Sequence, residues 1–150
     1  METQVVNEKI KKILSKYKTI AMVGVSKDEK KPSTIVMKYM QKYGFKVIPV
    51  NPSAKGEKIL GEKVFEKLED IKIPIDIVDV FRPSAEALKY AEETVKIRAK
   101  VFWLQLGIRS EGAKKLIEIE NIKFIENRCT KLEYQKIFLR INPAFPVLQN

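Results

Sequence analysis

Residues 19–52 read TIAMVGVSKDEKKPSTIVMKYMQKYGFKVIPVNP, and the order of patterns within them decides the fold. Residues 19–25, TIAMVGV, are an almost unbroken apolar run carrying Gly24, as expected of a strand buried on both faces of a parallel sheet. A polar loop follows at 26–31. Pro32 and Ser33 then precede Ile35, Val36, Tyr39, Met40 and Tyr43 at helical spacing, with Ser33 as the expected N-cap and Gly44 as the stop. Residues 45–50, FKVIPV, read as a second strand. It ends at Asn51-Pro52, where proline cannot donate to a ladder and biases Asn51 away from helix.

The same alternation extends outward from this unit. Upstream, Ile10, Ile13, Leu14 and Tyr17 share one face of a packing helix over about 7–17. Downstream, residues 59–71 are too short for a full crossover and predict a stubby edge strand near 63–65, then a helical turn. Residues 75–81, IDIVDVF, predict the next long strand, and Ser84 is the expected cap of a helix turning Leu88, Ala91 and Val95 to the sheet. A strand over 100–106 ends at Gly107. Ser110 opens a helix with Ala113, Leu116 and Ile117 inward, and residues 122–125 predict the last strand. TKLE at 130–133 has the capping-box pattern for a final helix to about Arg140, and 143–150 is expected to be an irregular tail.

Neither an internal repeat nor a linker interrupts the chain, so the 150 residues read as a single domain with its core at about 10–140. The fold class is α/β: a Rossmann-like, doubly wound parallel sheet in three α/β/α layers, with right-handed crossovers. A domain of this size buries about 70% of its unfolded surface and needs no disulfide or metal.

Composition narrows the chemistry. The chain has no histidine, which removes Ser/His and Cys/His nucleophile pairs, imidazole acid/base catalysis and phosphohistidine intermediates. A single cysteine, Cys129, makes neither an internal disulfide nor a zinc site. The absence of a membrane-length apolar run and of a signal-peptide pattern predicts a cytoplasmic protein without a membrane partner. The formal charge of +10 favours an anionic partner, whether nucleic acid, a membrane surface or a phosphorylated cofactor. Its lysines are scattered among acids like a solvated surface, and the wealth of Lys, Glu and Ile suits a thermophile's ion-paired exterior.

Doubly wound sheets bind ligands beyond the C-terminal ends of their strands. Four places follow: residues 24–33, 51–52, 81–84 and 105–108. Gly24, Val25 and Ser26 allow close backbone approach, while Lys31, Pro32 and Ser33 start a helix whose free N–H groups and dipole suit a pyrophosphate. The bland alternative is a glycine needed for packing and lysines facing solvent. Arg82 is either a phosphate or amide contact or one half of a surface ion pair, and Gly107 either admits a thin ligand chain or simply ends its strand. The three-glycine dinucleotide fingerprint is absent, and Asn51-Pro52 stands where an NAD ribose would want an acid. Asp76 and Asp79, three apart on a strand, face opposite sides and are no acid/base pair.

Several motifs in order resemble a known family: VGVS at 23–26, KPS at 31–33, PVNP at 49–52, ILG at 59–61, DIVDVFR at 76–82, VFWLQLG at 101–107 and NRC at 127–129. They resemble the small stand-alone CoA-binding proteins, which are similar to the CoA-binding domain of the succinyl-CoA synthetase α subunit. The resemblance covers roughly residues 10–140. It implies coenzyme A or an acyl-CoA, its pyrophosphate by Gly24, Val25, Ser26, Lys31, Pro32 and Ser33 and its adenine near Asn51 and Pro52. The pantetheine arm would then follow Val80, Phe81 and Arg82, and Gln105, Leu106 and Gly107. Glu133-Tyr134 departs from the family's frequent Glu-His, and no role is carried over there. Cys129 matches the family's Arg-Cys pair and is read as a buried, inert thiol in preference to one near the ligand's sulfur.

The related synthetases need further domains and a phosphorylated histidine, so the resemblance here implies CoA binding without catalysis: a carrier, a sensor or a subunit. A homodimer or a complex with an acyl-CoA-utilising protein suits that role. Two other readings remain open: an NAD(P)-linked oxidoreductase, for which Lys55 is the nearest available base, and a nucleic-acid binder, which would need exposed aromatics among the basic residues.

Overall fold

The computed structural model describes residues 2–141, so the expected irregular tail at 143–150 lies outside the described residues. A first helix, α1 (Glu2–Lys16), runs several residues longer than its apolar face requires and leads into β1 (Thr19–Val23). Then come α2 (Pro32–Lys42), β2 (Lys46–Val50), a two-stranded hairpin of β3 (Lys58–Ile59) and β4 (Glu62–Lys63), and β5 (Ile77–Val80). The chain continues through α3 (Ala87–Ile97), β6 (Val101–Leu104), α4 (Glu111–Ile119), β7 (Lys123–Ile125) and α5 (Thr130–Phe138).

The main sheet is parallel throughout, in the order β2-β1-β5-β6-β7. The order reverses direction between β1 and β5, the switch point at which such sheets open a crevice. Beyond β2, Phe65 pairs parallel with Val50 in one isolated bridge, where a fuller Rossmann sheet would carry another strand. The expected edge strand near 63–65 is thus reduced to that bridge plus a hairpin, whose two-residue turn has positive φ at Leu60 (49°) and Gly61 (83°). The helical turn expected after it is a 3-10 turn at Leu68–Asp70.

Each face of the sheet has its own core. Ile10, Ile13 and Leu14 of α1, and Val36, Met37 and Met40 of α2, pack on one face with Met22 and Trp103. Ala87, Tyr90 and Ala91 of α3, and Ala113 and Ile117 of α4, cover the other with Val78, Phe102 and Leu104. Strands buried on both sides explain why they are apolar at almost every position.

Helix ends follow local chemistry where it is strong. Gly44 (φ 92°) ends α2 as expected: its N–H bonds to the Gln41 carbonyl and that of Phe45 to the Met40 carbonyl, satisfying two orphan acceptors. Ser110 Oγ accepts the Ala113 N–H at 3.1 Å and caps α4 as expected. Three expected caps are corrected. The residue before α2 is Lys31, because Pro32, with its fixed φ and missing N–H, occupies the first helical position and leaves Ser33 inside the helix. Ser84 starts a 3-10 turn, Ser84–Glu86, which delays α3 to Ala87, and its Oγ instead accepts the Arg109 N–H at 3.0 Å. Ala91 faces inward as expected, with Ala87, Tyr90 and Thr94, and Val95 packs partly buried against the same core, whereas Leu88 is 45% exposed. The capping box at 130–133 does not form: Cys129 precedes α5 and Thr130 is drawn into a buried network.

Candidate functional site

At the switch point β1 ends in Gly24, whose N–H reaches the Val50 carbonyl at 2.8 Å, while the Phe81 N–H reaches the Val23 carbonyl at 2.8 Å. The backbone leaves the sheet with Gly24 at φ 90°. A Cβ there would lie 2.9 Å from Arg82 Cδ and 3.1 Å from the Phe81 carbonyl oxygen. Only glycine lets the chain turn here with Arg82 packed across it.

The loop after Gly24 is folded onto the start of α2. Ser26 N–H donates to Ser33 Oγ at 3.1 Å, and Thr34 Oγ1 donates to the Ser26 carbonyl at 2.6 Å. Inside the loop, Asp28 N–H donates to Ser26 Oγ and Lys30 N–H to Asp28 Oδ1. Asn51 ties this loop to the end of β2: its Nδ2 donates to the Val25 carbonyl at 2.8 Å, and its Oδ1 accepts the Ser53 N–H at 2.9 Å. A cleft of about 480 Å³ results, lined by Gly24, Ser26, Lys27, Asp28, Asn51, Ser53, Ala54 and Arg82. A larger hollow of about 600 Å³ runs along α2 from Glu29, Lys30 and Thr34 at the end of the loop to Tyr39, Lys42 and Leu60. The site is chosen by strand topology, not by size.

Of the expected residues, Gly24, Ser26, Asn51 and Arg82 meet in the cleft. Lys31 and Pro32 are exposed at the head of α2, and Pro52 is exposed beside Asn51, while Val25 is buried beneath the loop. The Ser33 side chain is buried and engaged by the loop, so what it can offer a ligand is its backbone N–H in the first helical turn. Val80 is buried, Phe81 is half-buried, and Leu106 and Gly107 are exposed past the end of β6. Gly107 N–H donates to Asn127 Oδ1 at 2.7 Å. Arg82 donates from Nε and Nη2 to the two oxygens of Glu86, at 3.2 and 2.8 Å. The ion-pair reading of Arg82 therefore holds in this structure, while its stem still floors the switch point. The hydrogen bonds and proximity of each raise the Arg82 pKa and lower that of Glu86.

The expected window 24–33 took in Lys27 and Asp28 without singling them out; sequence reasoning missed Ser53 and Ala54 as lining residues, and it missed a buried polar network near the strand ends. Asp79 is fully buried; its Oδ1 accepts Gln105 Nε2 at 2.6 Å and its Oδ2 accepts Thr130 Oγ1 at 3.2 Å. Gln105 Nε2 also donates to Thr130 Oγ1 at 3.0 Å, so the Gln105 side chain is turned into this network. Burial raises the Asp79 pKa to about 7, opposed by those two hydrogen bonds. Burial likewise pushes the neighbouring Cys129 thiol up to about 11, which keeps it protonated and unreactive at neutral pH. The sequence signals for this network were Asp79 within β5 and Gln105 at the end of an apolar run, with nothing to join them to Thr130.

A family model described as a CoA binding domain matches residues 18–135. The chain belongs to that family. The CoA binding domain thus spans β1 through most of α5, including every residue lining the cleft. The chain is 39% identical over 125 residues to the uncharacterized protein YneT of Bacillus subtilis, covering 83% of this chain and 91% of YneT. It is 32% identical over 142 residues to an ADP-forming acetate–CoA ligase of Methanocaldococcus jannaschii, covering 89% of this chain but 20% of that enzyme. Among solved structures, that of cell-free ID.343 from Thermus thermophilus superposes with a TM-score of 0.84 at 36% identity, covering 88% of this chain and 98% of that one. Relatives at this similarity share one small α/β domain with a parallel sheet. Among the described residues no helix is long and apolar enough to cross a membrane.

Proposed function

We propose that this protein binds coenzyme A or an acyl-CoA in the switch-point crevice, in the cytoplasm, and runs no reaction of its own. The observation that carries the reading is the coincidence of the family match with a cleft at the sheet's reversal, floored by Gly24 and flanked by basic residues. The pyrophosphate lies against residues 24–26 and the first turn of α2, where Lys31 and the Ser33 N–H meet it. Pro52 offers a flat apolar face for adenine, and the pantetheine arm crosses toward residues 80–82 and 105–107. Lys27, Lys30, Lys31 and Arg82 around the loop supply a positive field for a ligand with several phosphate charges.

Absence of catalysis is supported by the missing histidine and by a cysteine whose thiol stays protonated. The ligase relative devotes only a fifth of its length to the matching segment, so chemistry there has other domains to draw on. A role as carrier, sensor or CoA-supplying subunit follows for this chain, alone, as a homodimer or with an acyl-CoA-utilising partner.

Calorimetric titration with CoA, acetyl-CoA, NAD, NADP and a generic DNA duplex tests the reading. Saturable heat is expected with the first two only; Lys31→Glu is expected to weaken binding tenfold or more by setting negative charge against phosphate, and Ser33→Asp as much by putting a carboxylate beneath the loop that Ser33 Oγ anchors. Saturation by NAD(P) or duplex without any by CoA, or unchanged CoA affinity in both variants, would overturn it.

A further inference from the structure

Asp79 is an anomaly that CoA binding by the loop and α2 does not use. It sits on the central strand β5, one to three residues before Val80, Phe81 and Arg82, and its neighbours in register are Met22 on β1 and Trp103 on β6, both apolar. At the start of α5 it accepts a hydrogen bond from Thr130, and its charge helps raise the pKa of the neighbouring Cys129 thiol; Lys131, the next titratable group along, interacts electrostatically with Cys129 and lies over the Tyr39 ring. Among the described residues no basic side chain is an influence on its charge; the influences are burial and the hydrogen bonds from Gln105 and Thr130. A carboxylate buried without a counter-ion is balanced between its charged and neutral forms, and an added negative charge nearby tips it toward neutral.

We propose that Asp79 takes up a proton when the anionic ligand enters the crevice, and that the Gln105 amide turns over with it, making Asp79 a proton-linked positioning residue for the ligand's amide-bearing arm. The inference rests on the CoA reading of the site. As a carboxylate, Asp79 can only accept, which fixes the Gln105 amide with its N–H groups inward at 2.6 Å. Once protonated it has an O–H to donate, and the Gln105 oxygen becomes the better partner. The reversed amide then turns its N–H groups outward toward Leu106 and Gly107, where the pantetheine carbonyls would pass. Linkage makes the coupling reciprocal: a ligand that promotes protonation binds more tightly at lower pH.

The test has a ligand-free and a ligand-bound arm. In the free protein, NMR titration of the Asp79 carboxyl carbon is expected to show a midpoint near neutrality, with the Gln105 side-chain amide resonances moving at the same midpoint. A midpoint below pH 5, or amide resonances that ignore it, would overturn the proposal without touching the CoA reading. For binding, calorimetry in buffers of different ionisation enthalpy at pH 7 is expected to show more proton uptake by wild type than by Asp79→Asn. The difference between the two proteins separates Asp79 from the ligand's own phosphates. Wild-type affinity is expected to fall roughly three- to tenfold more steeply than that of Asp79→Asn between pH 6 and pH 8. Equal proton counts in the two proteins, or equal pH slopes, sink the inference while CoA binding stands. No CoA binding at any pH sinks both. If Asp79→Asn does not fold, the wild-type titration of Asp79 and Gln105 with and without CoA decides alone: an unchanged midpoint on saturation overturns the proposal.

Discussion

The two halves of the crevice are built by different means. On the β1–β2 side, most polar contacts run between a short side chain and backbone within eight positions: Ser26 with Ser33 and Thr34, Asp28 with Ser26, Asn51 with Ser53; one longer tie joins Asn51 to the Val25 carbonyl. On the β5–β6 side, three side chains from distant segments, Asp79, Gln105 and Thr130, bond to one another in the interior. The first half is mainly a set of turns that each stretch of chain specifies for itself, joined by the one Asn51–Val25 bond. The second exists only once the sheet and α5 have assembled, and it places a titratable group where water does not reach. Local chemistry shapes the side proposed for the phosphates, and tertiary burial gives the other side its titratable group.

Stability as a function of pH should separate the halves most strongly. The Asp79 pKa of about 7 in the folded protein exceeds its ordinary value of 3.8, so the native state holds this proton more tightly than the unfolded chain does. The resulting stabilisation is complete below about pH 4 and is lost as pH rises through 7, a loss on the order of 4 kcal/mol by pH 8. Urea unfolding from pH 4 to pH 8 should show this decline superimposed on the other carboxylates, and Asp79→Asn should remove it. A wild-type profile with the same slope as Asp79→Asn would mean that Asp79 is not held near neutrality.

The corresponding test on the other half is Gly24→Ala. The substitution forces a Cβ into φ 90° and against the Phe81 carbonyl oxygen at 3.1 Å, while Arg82 Cδ at 2.9 Å can move aside. A cost of roughly 2–3 kcal/mol is expected, independent of pH, by denaturant unfolding at pH 5 and pH 8. An effect below about 0.5 kcal/mol would show that the turn relaxes and that the switch point is less tightly built than its geometry indicates.

The same division explains what the sequence revealed. Period and punctuation exposed the strand-helix order and its parallel sheet, since TIAMVGV and VFWLQLG are apolar runs that only a doubly covered strand uses. Gly44 and Ser110 stopped and started helices as their chemistry demands. Ser33, Ser84 and Thr130 have the right chemistry for caps, but each found another partner instead: Ser33 the Ser26 N–H of its own loop, Ser84 and Thr130 the distant Arg109 N–H and Asp79 carboxyl. A hydroxyl near a helix start cannot disclose which of two acceptors or donors it will meet, because the second arrives from elsewhere in the chain. Asp79 lies buried inside β5, whereas Asp76, expected on the opposite face of the same strand, falls just before it and its Oδ2 accepts the Lys18 and Thr19 N–H groups. The partners of Asp79, 26 and 51 positions away, had no local signature of that pairing.

Arg82 belongs to both halves, since its backbone continues β5 and its side chain lies on Gly24, and it carries the smallest expected effect on stability. Its pairing with Glu86 is an exposed contact four residues apart, worth a few tenths of a kcal/mol. Glu86→Gln should therefore leave unfolding within about 0.5 kcal/mol of wild type. Binding should respond differently. The carboxylate now holds the guanidinium against the helix start and adds a negative charge beside the cleft, and removing it frees Arg82 to meet a phosphate or an amide carbonyl. A two- to fivefold gain in CoA affinity at low salt is expected, shrinking as ionic strength rises, because exposed charges are screened within about 10 Å at 0.1 M. A gain that survives high salt would point to a direct hydrogen bond from Arg82 to the ligand. No gain at any salt would place Arg82 on the structural side of the division, a strut across Gly24 that the ligand never engages.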